Sequence, residues 1–344
     1  MTGDWMTRGL SAYQFASVRA ALGLSLLASG AAFAADIKPA VIYDLGGKFD
    51  KSFNEGVFNG ATKFKTDTGI DFRDLEIQND AQREQTLRKF AKDGFNPILM
   101  PGFAWATALE KVSAEFPDTK FGIIDMVVDK PNVQSMLFKA HEGSFLVGVI
   151  AAKTSKSGKV GFVGGMDIPL ISQFGCGYAQ GVKYVNAKDE VFANMTGTTP
   201  AAWNDPVKGG EIAKSQIDRG ADVVYAAAGA TGQGVLKAAA DAGKLGIGVD
   251  SNQNGLFPGK VLTSMLKRVD VATYDMFKSV KDGTWKGGIT VFGLKEDGVG
   301  YAVDDNNKAL ITADTQKAVD AAKADIISGK IQVHDYMADS KCPV

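Results

Sequence analysis

The chain has 344 residues, 38 lysines and arginines against 39 aspartates and glutamates, and a formal net charge of −1. Near-neutrality leaves no electrostatic footprint for nucleic acid, and 45% hydrophobic residues exclude a largely disordered chain. The length exceeds what one core usually holds, so two lobes are expected.

Residues 1–34 read as a secretory signal. Arg8 and Arg19 precede an apolar run from Ala20 to Ala31, and Ala32-Phe-Ala34 supplies small residues at the cleavage offsets. The run is too short and too rich in small residues to span ~30 Å of hydrocarbon comfortably. Cleavage near Ala34 and export of a soluble chain are therefore expected. No cysteine follows the run, so a lipid anchor is not expected. The two cysteines, Cys176 and Cys342, lie far apart in the chain. An oxidising compartment permits them to pair, but sequence does not place them within ~5.5 Å between Cα atoms, and they are read as unpaired.

A strand is predicted over 40–44, ending in the glycine turn Leu45-Gly-Gly47. Ser52 is expected to cap a helix running to Lys65, in which Phe53, Val57, Ala61 and Phe64 recur at helical spacing. A strand over 72–77 follows, then a helix over 81–92 capped by Asp80 and stopped by Gly94, a strand over 97–100 and a helix over 104–115. The strand over 121–125 ends in Asp125. Such alternation builds a parallel sheet with helices on both faces.

The pattern breaks at 133–138, which runs into a helix over 142–154, and then restarts with a strand at 160–163. Helices near 175–186, 205–219 and 232–242 alternate with strands at 191–195 and 222–227, and a last strand runs into Asp250. The strand over 261–266 and a helix over 272–282 are expected to rejoin the first lobe, while 290–294 and a helix over 314–327 cross back. The fold class is thus α/β, with two doubly wound parallel-sheet lobes joined by a three-stranded hinge. Lobe 1 is assigned 35–139 plus 262–290, and lobe 2 is assigned 140–261 plus 291–344.

Polar residues at carboxyl ends of strands mark ligand clefts in open α/β sheets. Asp250 ends one such strand and Lys267 the next, an acid and a base suited to a hydroxyl-rich neutral ligand. The loop Gly46-Gly-Lys-Phe49-Asp50-Lys-Ser52-Phe53-Asn54 combines close-approach glycines with hydrogen-bonding side chains at a helix entry. On residue types alone an ordinary capped turn fits it as well. Gly229-Ala-Thr-Gly232 lacks the Gly-Lys-Ser/Thr ending of a phosphate loop and reads as a turn presenting backbone N–H groups.

Asp250-Ser-Asn252-Gln-Asn254-Gly255 imitates the start of a calcium loop, but Val261 stands where the bidentate glutamate belongs. The acidic stretch Asp304–Asn307 reads as a solvated turn. With His141 and His334 the only imidazoles, no zinc spacing exists, and no nucleophile elbow appears. No metal or cofactor is expected. Asp125 and Asp250 suit either a paired-carboxylate hydrolase or a sugar-binding cleft. Phe49, Phe53, Phe103, Trp105, Phe174, Tyr178 and Trp203 lie in or beside predicted loops. Any one of them is a core residue by default. At a helix entry beside acids and amides, an aromatic instead stacks on a flat ring, worth about 1–3 kcal/mol per base.

Several motifs together resemble the basic membrane protein family of periplasmic-type substrate-binding proteins, whose best-understood members bind purine nucleosides. They are Asp50-Lys-Ser-Phe-Asn54, Ile123-Ile-Asp125, Glu142-Gly-Ser-Phe-Leu-Val-Gly148 and Lys159-Val-Gly-Phe-Val-Gly-Gly165. Trp203-Asn-Asp-Pro-Val-Lys-Gly209, Ala226-Ala-Ala-Gly-Ala-Thr-Gly232, Gly248-Val-Asp-Ser-Asn252 and Leu262-Thr-Ser-Met-Leu-Lys-Arg-Val-Asp270 continue the series over nearly all of the chain beyond the signal.

The resemblance implies a type I periplasmic binding protein fold whose lobes close on a purine nucleoside or nucleobase and deliver it to the permease of an ABC transporter. It implies a monomer with no enzymatic activity; relatives are often lipid-anchored through an N-terminal cysteine, which is missing here, so a protein free in the periplasm is expected. Asn54 and Asp125 would bond the base edge, and Phe53 or Phe49 would stack on the base. Asp250 would take ribose hydroxyls, helped by Lys267 and the backbone near Gly229. Asp50, Ser52, Phe174 and Trp203 complete the expected site, with Trp203 standing where relatives carry phenylalanine. Cys176, between two glycines, is expected to reshape the pocket. A nucleoside-cleaving hydrolase and a binder of a plain sugar or other small polar ligand are the alternatives; a transcriptional regulator with the same core would need an N-terminal DNA-binding helix pair where the signal stands.

Overall fold

A computed structural model describes residues 37–344, so the signal-peptide reading of 1–34 lies outside the described residues. In chain order the elements of the first half are β1 (Ala40–Tyr43), α1 (Phe53–Thr68), β2 (Arg73–Glu76), α2 (Gln82–Lys92), β3 (Ile98–Pro101), α3 (Ala106–Glu115), β4 (Phe121–Ile124) and β5 (Val133–Phe138). There follow α4 (Ala140–Thr154), β6 (Lys159–Met166), α5 (Pro169–Val185), β7 (Glu190–Gly197), α6 (Pro206–Asp218), β8 (Val223–Ala227), α7 (Thr231–Asp241), β9 (Leu245–Asp250) and β10 (Val261–Lys267). The chain closes with α8 (Val269–Lys281), β11 (Gly288–Phe292), β12 (Val299–Tyr301), α9 (Ala313–Ile327) and the short α10 (Tyr336–Asp339).

The strands form two six-stranded sheets, ordered β11-β5-β4-β3-β1-β2 and β12-β10-β9-β8-β6-β7. Every pairing is parallel except that of β10 with β12. Strands β1, β3, β4 and β8 are buried throughout, as continuous apolar runs must be when helices cover both faces of a parallel sheet. The two-lobed α/β architecture read from the alternation is therefore present.

The crossings between lobes differ from expectation. The strand expected to return to the first lobe, β10, instead pairs with β9 in the second sheet, with Met265 opposite Val249 and Leu266 opposite Asp250. The chain returns only after Lys267. Helix α8 then packs on α1 so closely that a Cβ at Gly60 would lie 2.1 Å from the Asp270 carbonyl oxygen. Strand β11, expected to cross back, stays in the first sheet and pairs with β5. A buried apolar run identifies an interior strand, but its pattern is the same in either sheet.

Two further expectations are corrected. Cys176 and Cys342 form a disulfide with Cα atoms 5.6 Å apart, tying the C-terminal tail to α5; Cys176 faces that tail and does not line the cleft. Asp304–Asn307 is a solvated turn only in part: Asp305 and Asn306 are exposed, but the ends of the stretch turn inward. Asn307 is fully buried and donates to the carbonyls of Leu262 and Ala302, while Asn252 and Asn254 donate to Asp304 Oδ2 at 2.7 and 3.2 Å. The amides of the calcium-like stretch thus serve a hydrogen-bond network that ties the end of β9 to the turn after β12. No group of three metal-ligating side chains occurs among the described residues, and none of their helices is long and apolar enough to cross a membrane.

Candidate functional site

The carboxyl ends of the two sheets face each other across a cleft. Helix α1 enters it through a cap different from the one expected. The Asp50 carboxylate accepts the backbone N–H groups of Ser52, Asn54 and Glu55 at 2.8–3.1 Å, satisfying donors a helix start leaves orphaned. Ser52 makes no side-chain cap; its hydroxyl donates across the cleft to Asp250 Oδ2 at 2.5 Å. A capping serine needs its oxygen turned toward the helix, and Lys51, in the left-handed region at φ 62°, directs the chain so that Asp50 takes that place.

Asp125 and Asp250 follow or end buried strands, and both adopt positive φ, 70° and 63°. Non-glycine residues rarely sit there, and such strain collects at functional sites. Lys267, at the tip of β10, binds Asp125 Oδ2 at 2.5 Å. Its ammonium lies 4.8, 5.2 and 5.6 Å from the rings of Phe53, Phe138 and Phe174. Ion pair and aromatic faces together compensate a cation that is 3% exposed. Burial raises the pKa of Asp250, opposed by the Lys267 charge and the Ser52 hydroxyl.

Between the lobes lies a space of about 670 Å³, a figure that includes open solvent at its mouth. Asp50, Phe53, Asn54 and Asp125 line it from the first lobe, and Phe174, Trp203, Gly229, Asp250 and Lys267 from the second. Asn54 donates Nδ2–H to the Gly47 carbonyl, leaving its buried Oδ1 without a protein partner. The Trp203 indole rests on the end of β6, where a Cβ at Gly165 would meet ring carbons at 2.3–2.5 Å. Only glycine seats the larger ring there, and Trp203 forms a wall of the cleft.

Two expected site residues lie elsewhere. Phe49 is 59% exposed and packs edge-on against Phe58 of α1, centroids 5.3 Å apart. Ser52 is fully buried and spends its hydroxyl on Asp250 without lining the space. Sequence reasoning missed Asp44, which lines the cleft just beyond β1 and accepts from Arg83 Nη2 at 2.6 Å. The strand-tip criterion that singled out Asp125 and Asp250 applies to it equally. Leu170 and Ile171, on the first turn of α5, also line the cleft, but apolar helix residues carry no signal of that role.

The site thus gathers carboxyl and amide acceptors and aromatic rings around one space. Burial pushes Asp50 up to about 7, against the pull of its three backbone N–H groups and with a further push from the Asp250 charge. A carboxyl whose folded pKa lies above its unfolded value binds its proton more tightly when folded. The stability it contributes is complete below about pH 4 and is lost as pH rises through about 7. Asp50→Asn, which retains an acceptor oxygen for the cap, is expected to flatten this decline. Thermal midpoints of both proteins from pH 5 to 8 measure it, and parallel profiles would refute the assignment.

Residues 37–336 match the family described as PnrA-like ABC transporter substrate-binding proteins. An uncharacterized lipoprotein of Pyrococcus horikoshii is 36% identical over 277 residues, spanning 77% of this chain and 68% of that protein. The CD4+ T-cell-stimulating antigen of Listeria monocytogenes is 34% identical over 321 residues, 87% of this chain and 88% of its own length. Among solved structures, an ABC transporter solute-binding protein from Aeropyrum pernix superposes with a TM-score of 0.80 at 32% identity, covering 86% of this chain and 92% of that one. Fold, cleft and relatives agree, and the chain belongs to the Bmp family of ABC transporter substrate-binding proteins.

Proposed function

We propose that this protein is the exported, monomeric solute-binding component of an ABC importer, taking a purine nucleoside or free purine between its lobes in the periplasm and handing it to the membrane permease without chemical change. The observation that carries the reading is the pairing of aromatic walls with buried acceptors in one space. Phe53 and Trp203 offer faces for a planar ring, Asn54 Oδ1 and Asp44 offer acceptors for its N–H edge, and Asp250 beside Lys267 suits vicinal hydroxyls. A plain sugar could satisfy the Asn54 oxygen through a hydroxyl, but it brings no flat ring to stack on the aromatic faces.

Mass spectrometry of small molecules released from freshly purified, denatured protein, followed by calorimetry with adenosine, guanosine, inosine and free purines, tests the reading. A purine compound in the released fraction and saturable heat are expected. Heat from a plain sugar and none from any purine compound would reject it, and free base appearing from inosine would favour a hydrolase.

A further inference from the structure

Three consecutive backbone carbonyls of the first lobe are each taken by a neutral side chain of the second. Gln233 Nε2, from α7, donates to the Asp50 carbonyl at 3.3 Å. Gln253 Nε2 donates to the Lys51 carbonyl at 3.0 Å, and Ser251 Oγ to the Ser52 carbonyl at 2.8 Å. Both sides are held in place beforehand. On the first lobe, the Asp50 carboxylate gathers three N–H groups and Lys51 turns through positive φ, so the tripeptide has one shape. On the second, Gln253 Oε1 accepts the Val249 N–H at 2.9 Å, and the Gln253 N–H is bound by Ser264 Oγ at 2.9 Å, which orients its amide.

We propose that Gln233, Ser251 and Gln253 form a closure latch that grips the Asp50–Ser52 backbone and sets the balance between open and closed lobes. None of the three lines the space between the lobes, so they act on any ligand only through closure. They are positioning residues. A ligand that binds the closed form gains affinity from whatever else favours that form, so the latch raises affinity for every ligand by one common factor. The donors carry no charge, so these three contacts add no desolvation cost of a buried ion pair of their own. The inference rests on the binding-protein reading above, but not on the ligand being a purine.

The test uses the whole protein and the variants Gln233→Ala, Ser251→Ala and their combination, with Ser251→Thr as the conservative control. Small-angle scattering of ligand-free protein reads the lobe separation, and calorimetry with adenosine and inosine reads affinity. Each lost bond is expected to weaken both ligands by about five-fold, and the double variant by about 25-fold if the two contributions add. Dissociation should quicken, the ratio between the two ligands should hold constant, and Ser251→Thr should restore most of the loss. A larger radius of gyration in the ligand-free variants supports the latch even if no purine binds the parent protein, a result that would sink only the ligand assignment. Unchanged radius together with unchanged affinity, or a changed ratio between the ligands, would overturn it.

Discussion

Lys267→Met is expected to weaken ligand binding by about 10²–10³-fold and to lower the thermal midpoint by roughly 5–10 °C. The reason is the company Lys267 keeps. Its ammonium meets Asp125 at 2.5 Å, and its charge opposes the burial that raises the Asp250 pKa. Methionine fills a similar volume among Phe53, Phe138 and Phe174 but leaves two buried carboxyls without their cation. Removing one partner of a buried ion pair typically costs about 3–5 kcal/mol, because the other charge is stranded. In the proposed function the same change removes the donor beside Asp250. Lys267→Arg keeps the charge but brings a planar fork into a site built around a point charge, so partial recovery is expected. Calorimetry and a thermal melt on each variant decide the matter; a Lys267→Met protein with parental affinity and midpoint would show that the pair carries neither role.

The second large effect concerns the aromatic wall. Trp203→Ala is expected to cost about 5–150-fold in affinity for a nucleoside, the range of one lost stacking face, and to leave the affinity for ribose unchanged. Trp203→Phe should keep most of the binding, since a phenyl ring also presents a face above Gly165. The two ligands separate stacking from mere filling of the cleft. If ribose and nucleoside lose affinity equally, the indole is a spacer, and the flat-ring assignment falls with it.

Much of the architecture was legible in the sequence because its determinants are local. Apolar runs such as Ala40–Tyr43 and Ile98–Pro101 are buried on both faces, and their alternation with amphipathic helices announces a parallel sheet wherever they occur. The strand-tip rule placed Asp125, Asp250 and Lys267 on the cleft for the same reason: where a parallel strand ends, its last side chain faces the ligand side. Applied evenly, the rule would have included Asp44.

What remained hidden depends on partners distant in the chain. Val261–Lys267 reads as an interior strand, but its choice of sheet comes from β9, β12 and the Asn254–Asp304–Asn307 network meeting around it. Ser52 and Asp50 are both competent caps, and only the second lobe, offering Asp250 to the Ser52 hydroxyl, divides the roles between them. Phe49 and Phe53 are four residues apart, yet the left-handed turn at Lys51 and the face of α1 send one onto Phe58 and the other into the cleft. Cys176 and Cys342, separated by 166 positions, meet because the tail folds back along α5. Sequence alone determined the longer helices and strands, though not the short β12 and α10, and most of the polar side chains at strand ends, since neighbours within a few residues fix both. The tertiary structure alone decided which lobe each late strand joins and which groups meet across the cleft, because those choices are settled by contacts between segments up to about 200 residues apart.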